Sequence, residues 1–343
     1  LICLIYFYIS LRVYFPNISI ITLSSIFLFL SFEPTLNQWN RVLYSETIFF
    51  GLQILAISFL LSYNYKTPLK NVVLFGIILS LMYLQRSVSI YYFLIAFLYF
   101  YIFFKKKFIF NAIIIGLFYL SSHLFVGFQN LNRDGKIYFL PILAKEDLYG
   151  YFVPKILKYS ENEMYVKSFQ TRHDKINNFV KENNLVSEEF IDIDARQRIA
   201  NNNFAESIEI IFKHPIGSLK EYLVSLTHYF LLKPNEIHFL QENNTTYNGH
   251  FYNSDKFKNE FIFKVIYSLC IYVISLIGLY YIFKKKKFKI LFLLISSILY
   301  FSLPVAWHKQ SSYLAPVLIY IAVFFGVGLN NLINYINKVK NVR

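Results

Sequence analysis

Long apolar runs, each closed by a short polar or basic knot, set the rhythm of this chain. They lie at 17–33, 45–63, 71–88, 90–104, 108–127, 261–283, 288–307 and 311–333, and residues 1–10 read as the end of an earlier one. Several reach the roughly 20 residues a helix needs to cross hydrocarbon. The pattern predicts an all-α, polytopic transmembrane helix bundle, with about eight spans plus a partial one. It divides the chain into N-terminal transmembrane helices (1–127), a large and mostly helical extracytoplasmic loop region (128–260), and C-terminal transmembrane helices with a basic cytoplasmic tail (261–343).

The middle segment is too long for a connector. Residues 194–215 begin with Asp194 and carry Gln197 three positions on, the spacing of a capping box, and Ile199, Phe204, Ile208, Ile211 and Phe212 fall near helical spacing. Residues 215–234 open on Pro215, suited to a first helical turn, and close on Pro234. Leu219, Tyr222, Leu223, Leu226, Tyr229 and Phe230 form an apolar stripe between them, fit for a membrane interface or for the mouth of the bundle. Residues 241–256 are turn-like; Asn243 and Asn244 match the glycosylation pattern, a cheap match in an asparagine-rich stretch.

Composition agrees with the pattern. Hydrophobic residues make up 56% of 343 positions and the mean hydropathy is +0.43, beyond the range of an ordinary soluble enzyme. The net charge of +14 does not point to nucleic acid, because much of it sits in knots beside apolar runs: Lys105 to Lys107, Lys284 to Lys287 and the tail NKVKNVR. Cys3 and Cys270 fall in apolar runs and support neither a disulfide framework nor a thiolate metal site. The first residue, Leu1, is already inside an apolar run, without a charged leader or cleavage site, so the chain reads as N-terminally truncated rather than as opening on a signal peptide.

Lysine and arginine assign the sides. If the 63–71 loop with Lys66 and Lys70 is cytoplasmic, simple alternation puts Arg12, the 105–107 knot, the 284–287 knot and the tail on that same side. The opposite side receives residues 31–46, the Gln85 to Ser89 hairpin, the long segment and residues 307–312. Arg86 then stands at the outer interface, where positive charge is normally depleted. Two readings fit it: an arginine snorkelling to headgroups, or a planar fork holding an anion between helices.

Four stretches of chemical interest share that side: Glu33, Arg41 and Glu46; Arg86; Asn132, Arg133 and Asp134; and His308, Lys309 and Tyr313. Glu46 opens a span, where it suits either the helix dipole or a carboxylate that accepts a proton. His308 and Lys309 read as a polar hairpin tip or as part of an anion pocket, and residues 132–134 as solvated loop. Asp192 and Asp194 make a D-x-D spacing, but helix capping explains Asp194 and the favourable N-terminal charge of Asp192. The seven histidines show no pairing typical of zinc.

The stretches SFEPTLNQWNRVLYSETIFFGLQ and NVVLFGIILSLMYLQRSVSIYYFLIAFLYF resemble membrane glycosyltransferases of the GT-C superfamily. The branch they look most like is that of protein O-mannosyltransferases and lipid A aminoarabinose transferases, glycosyltransferase family 39 and relatives. AESIEIIFKHPIGSLKEYLVSL is similar to a helix pair of the family's large outer loop, and LPVAWHKQSSYLAPVLIYIAVFFGVGL to its closing span. The resemblance implies that Glu46 is an outer acid and Arg86 a contact to lipid phosphate. It also implies that His308, Tyr313 and Pro316 form the closing motif. Ser312 stands where the family carries arginine, and Lys309 is the candidate to replace that charge. The family's principal acid would lie upstream of Leu1.

The expected function is therefore transfer of a sugar from a polyprenyl-phosphate donor to a glycan, lipid or protein acceptor at the outer face of the cell inner or plasma membrane. Glu46 would be the catalytic carboxylate, and Arg86, Arg41, His308, Lys309 and Tyr313 would bind the donor phosphate. The long segment would enclose the site and limit hydrolysis. No particular cofactor is implied, and a divalent cation is optional. Two alternatives stay open: a flippase for lipid-linked saccharides, which calls for ionisable groups at midplane, and an O-antigen polymerase or ligase, which would rely on arginines and histidines of the long segment.

Overall fold

The computed structural model describes residues 2–15, 18–32, 44–63, 68–86, 89–134, 137, 148–161, 174–175, 177–178, 181–182, 193–231, 255–302 and 315–340. Among these residues every regular element is helical and none is a strand. In chain order the α-helices are α1 (Ile2–Tyr14), α2 (Ile20–Phe32), α3 (Tyr44–Ser62), α4 (Pro68–Gln85), α5 (Tyr92–Phe103), α6 (Phe108–Asp134), α7 (Val153–Ser160), α8 (Ile193–Lys213), α9 (Pro215–Leu231), α10 (Asp255–Lys284), α11 (Phe288–Ser302) and α12 (Ala315–Lys340). A 3₁₀ turn of Lys105–Lys107 joins α5 to α6, and a π turn of Leu148–Phe152 leads into α7.

The helices fall on the apolar runs, with length as the main difference. Among the described residues, three stretches are long and apolar enough to cross a membrane: Lys105–Asn132, Val265–Lys284 and Pro316–Lys340. Six further apolar helices are shorter. Residues 132–134, expected in a loop, form the last turn of α6.

The chain forms two compact units. The first comprises Leu1–Leu124, Tyr229–Pro304 and Gln310–Arg343; the second comprises Phe125–His228 and Val305–Lys309. In the first unit α12 is the central helix. It packs on α10, α2, α11 and α3, and two-thirds of its apolar window is buried (67%), against 17% for that of α6. Glycine makes that centre. A Cβ on Gly278 of α10 would collide with the carbonyl oxygen of Phe324, and one on Gly328 of α12 with that of Ile274. The two backbones therefore touch, the close approach that small residues permit between helices in lipid. Gly326, two positions away, does the same toward α2, where an added Cβ would lie 2.8 Å from the Thr22 carbonyl oxygen.

The outer helices turn apolar faces outward. On α6, Ile109, Ile113, Leu117, Leu120, Leu124 and Phe128 are all exposed by half or more. They follow helical spacing across 20 residues, and the 19 steps at 1.5 Å each make about 29 Å. On α10, Ile262, Ile266, Leu269, Val273, Leu276, Tyr280 and Phe283 make a matching seam. An exposed apolar stripe the length of the hydrocarbon layer, about 30 Å, is what a lipid-facing helix presents.

The second unit is built differently. Leu148, Phe152 and Ile156 form its apolar centre, with Ile208, Ile210, Ile211 and Tyr222 packed against them. Pro215 is the first residue of α9, as its ring geometry favours. Asp194 is the second described residue of α8, and the capping role that its spacing predicts falls on a side chain outside the described set. Gly217 of α9 meets α7 closely: an added Cβ would overlap the Ser160 hydroxyl oxygen and lie 3.2 Å from the Ile156 carbonyl. The buried face of α9 is accordingly small and polar, made of Gly217, Ser218, Glu221 and Ser225, while Ile216, Leu219 and Leu223 are exposed.

Candidate functional site

Arg86 follows directly on α4. Its amide N–H donates to the Met82 carbonyl at 2.8 Å, continuing the helix by one bond, and its own carbonyl accepts from the Ser89 amide (3.1 Å) and hydroxyl (2.8 Å). Ser89 is buried, so these bonds close a tight hairpin and fix the backbone from which the half-buried arginine projects. The hairpin is tied to α11 as well, since the Tyr91 amide donates to the Tyr300 hydroxyl at 3.1 Å.

Beside this hairpin lies a polar chain inside an otherwise apolar core. Gln53 of α3 donates its amide to the Tyr320 hydroxyl of α12 at 3.4 Å; Tyr320 donates to the Tyr92 hydroxyl of α5 at 3.3 Å; and Tyr92 is 2.8 Å from the Ser297 hydroxyl of α11. All four side chains are essentially fully buried. Phe301 braces them, stacked on Tyr320 at 5.9 Å and tilted against Tyr92 at 5.3 Å. The Gln53 carbonyl oxygen has no hydrogen-bond partner among the described residues, and an unsatisfied buried acceptor costs about 1–3 kcal/mol. Such groups concentrate where specificity or chemistry is needed.

Tyr92 and Tyr320 lie near the starts of α5 and α12 and Ser297 toward the finish of α11, whereas Gln53 is mid-way along α3; the first half of α3 meets the finish of α11 through Phe49, whose ring is 6.2 Å from that of Phe301. Glu46 lies in the first turn of α3, at that end. Arg86 is there by its own hairpin. Arg41, His308, Lys309 and Tyr313 lie outside the described residues.

The other end of the first unit is cationic. Tyr14 accepts a hydrogen bond from the Ile290 amide at 3.3 Å and stands 5.6 Å from the Lys287 ammonium; Lys289 lies 4.2 Å above the Phe104 ring, next to the Lys105–Lys107 turn. The Ser62 hydroxyl donates to Ser10 at 2.9 Å, and Asn71 donates to the Ser62 carbonyl at 3.2 Å. Arg12, the finish of α3 at Ser62, the start of α4 at Asn71, the 105–107 turn and the 284–287 knot thus meet at one end, opposite to Arg86.

The second unit carries its own polar site, which the sequence reading does not single out. A cavity of about 330 Å³ is lined by Tyr149, Lys175, Glu182, Asn202, Asn203 and Glu206 among others. Glu206 is its centre, accepting from the Tyr149 hydroxyl at 3.1 Å and from Lys175 at 3.0 Å. The legible signal was the spacing of Asn202, Asn203 and Glu206, which puts three polar side chains on one face of α8. A second acid, Glu221, is buried and holds the Ser225 hydroxyl at 2.8 Å with Lys155 at 3.8 Å. Burial, and secondarily the charge of Glu221, raises the pKa of the Tyr159 phenol, which stays neutral at physiological pH. Among the described residues no three His, Cys, Asp or Glu side chains gather to hold a metal ion, and the side chains of Asp192 and Asp194 lie outside that set.

Compared with known proteins, the chain matches no family model, no curated sequence and no solved structure. The functional reading rests on the residues themselves.

Proposed function

We propose that the chain is an integral membrane glycosyltransferase that moves a sugar from a polyprenyl-phosphate donor to an acceptor at the extracytoplasmic face. The observation that carries the reading is the Arg86 hairpin beside the buried Gln53–Tyr320–Tyr92–Ser297 chain, at the end of the first unit opposite to the lysine knots. Lysine-rich ends tend to face the cytosol, which supports the reading that the Arg86 end lies in the other compartment. A lipid-borne donor would lay its polyprenyl tail along the apolar helix faces and its anionic head at the level of Arg86.

The chemistry is a displacement at the anomeric carbon. The acceptor oxygen forms a bond to that carbon as the bond to the phosphate oxygen breaks, and polyprenyl phosphate leaves with the electron pair. Arg86 stabilises the charge gained by the leaving phosphate through paired N–H donors, with Arg41 and Lys309 as further cations. Glu46 is this chain's candidate to take the acceptor's proton. Displacement from the opposite face inverts the anomeric configuration. A divalent cation is optional in this scheme.

Arg86→Ala in the full chain is expected to abolish transfer from polyprenyl-phosphate sugar while leaving membrane insertion unchanged. Arg86→Lys, which keeps the charge but loses the fork, is expected to retain a minor fraction of turnover. Wild-type turnover in Arg86→Ala would remove the arginine from the mechanism.

A further inference from the structure

At the lysine end of the first unit a cavity of about 310 Å³ opens between α2, α10 and α12. Its polar lining among the described residues consists of Ser19, Thr22, Tyr281, Lys285, Lys287, Asn330 and Asn331, with no carboxylate among them. The site is organised rather than merely basic. Lys285 is held 5.5 Å from the Tyr281 ring, and Lys287 is held 5.6 Å from Tyr14 and 5.8 Å from Phe15. Ser19 donates its hydroxyl to the Asn330 side-chain oxygen at 2.7 Å and accepts from the Thr22 amide at 3.1 Å, capping α2. That bond fixes the Asn330 amide oxygen on Ser19 and leaves its NH₂ as a donor.

The backbone of the lysine turn is special too. Lys287 donates to the Ile282 carbonyl and Lys286 to that of Phe283, the paired bonds that end a helix in a left-handed residue. That residue is Lys286, at φ 54°, where glycine is the ordinary choice. The chain keeps a lysine at a position that disfavours side chains, and the turn it makes brings Lys285 and Lys287 to the same cavity.

We propose that this cavity binds a phosphate group, held by the two ammonium groups, the Asn330 amide and the hydroxyls around it. The chemistry fits either the headgroup of an anionic phospholipid entering between the helices or a soluble phosphate. Basic pockets between spans on the cytoplasmic side are the physical means of holding such heads. The site is distinct from the Arg86 end and does not depend on sugar transfer.

The test uses the full chain in nanodiscs. In mixed phosphatidylcholine and phosphatidylglycerol discs, native mass spectrometry counts retained anionic lipid; in phosphatidylcholine discs, inorganic phosphate is titrated while thermal unfolding is followed. Lys285→Gln with Lys287→Gln is expected to weaken retention about tenfold or more, whereas Lys338→Gln with Lys340→Gln, equal in charge but beyond the cavity, changes it less than about twofold. A headgroup ligand gives that result with no response to inorganic phosphate; a soluble ligand shifts the unfolding of the wild type and not of the Lys285/Lys287 variant. The single Lys285→Gln, at an exposed position, carries the same comparison if the double variant does not assemble. Equal anion response in wild type and in the Lys285 and Lys287 variants would overturn the proposal.

Discussion

Glu221 tests the second unit at the level of one side chain. Its carboxylate is 1% exposed, takes the Ser225 hydroxyl and faces Lys155 at 3.8 Å. Removing one partner of a buried pair costs about 3 kcal/mol, so Glu221→Ala should accelerate amide hydrogen exchange across α9 by around two orders of magnitude. Unchanged exchange would mean that the carboxylate is not part of what holds α9 to α7. Gln53 makes the opposite case. Leucine at that position removes a buried carbonyl without a partner among the described residues along with one long hydrogen bond, so Gln53→Leu is expected to leave thermal stability within about 1 kcal/mol. Tyr320→Phe deletes the shared hydroxyl, leaves the Gln53 amide and Tyr92 each short of a bond, and should lower stability by more. Stability that moves the other way in this pair would show that Gln53 is a structural clamp.

Among the elements, the α10–α12 crossing is the sharpest claim. Gly278 and Gly328 allow backbone contact that any side chain would block, and Gly278→Leu or Gly328→Leu should prevent assembly or cost more than about 3 kcal/mol in detergent melting. Gly116 of α6 has nothing within 4 Å of an added Cβ, so Gly116→Ala should be neutral or slightly stabilising. Helix positions were legible in the sequence because an apolar run bounded by lysines or prolines admits few other structures. Which face each helix buries was not. The apolar stripe on α9 reads as a packing face, yet Leu219 and Leu223 are more than half exposed while Glu221 and Ser225 are buried. Periodicity reveals two faces; which one turns inward depends on the neighbour, and here Gly217 and Lys155 draw in the polar one. The same blindness hid Glu206, whose partners Tyr149 and Lys175 lie 57 and 31 positions away along the chain.

For the molecule as a whole, the account turns on polarity between two ends. Distributed lysines gave the expectation that the 63–71 loop, the 105–107 and 284–287 knots and the tail share a side with Arg12; the contacts of Lys287 with Tyr14 and of Lys289 with Phe104 bring the 105–107 turn and the 284–287 knot to the Arg12 end of α1 in the first unit. Arg86 belongs to the other end, but the chemistry proposed there also draws on Arg41, His308, Lys309 and Tyr313, for which only the attachment points were legible. The family resemblance names roles for those residues; spacing alone could not, because each is a single polar residue in a hairpin. The most direct measurement is sidedness. In a background with Cys3 and Cys270 replaced by serine, Ala205→Cys and Lys106→Cys are labelled with an impermeant maleimide in intact cells. The account predicts that position 205 reacts at once and position 106 only after permeabilisation; a reagent that reaches 106 first would place the Arg86 end in the cytosol and contradict it.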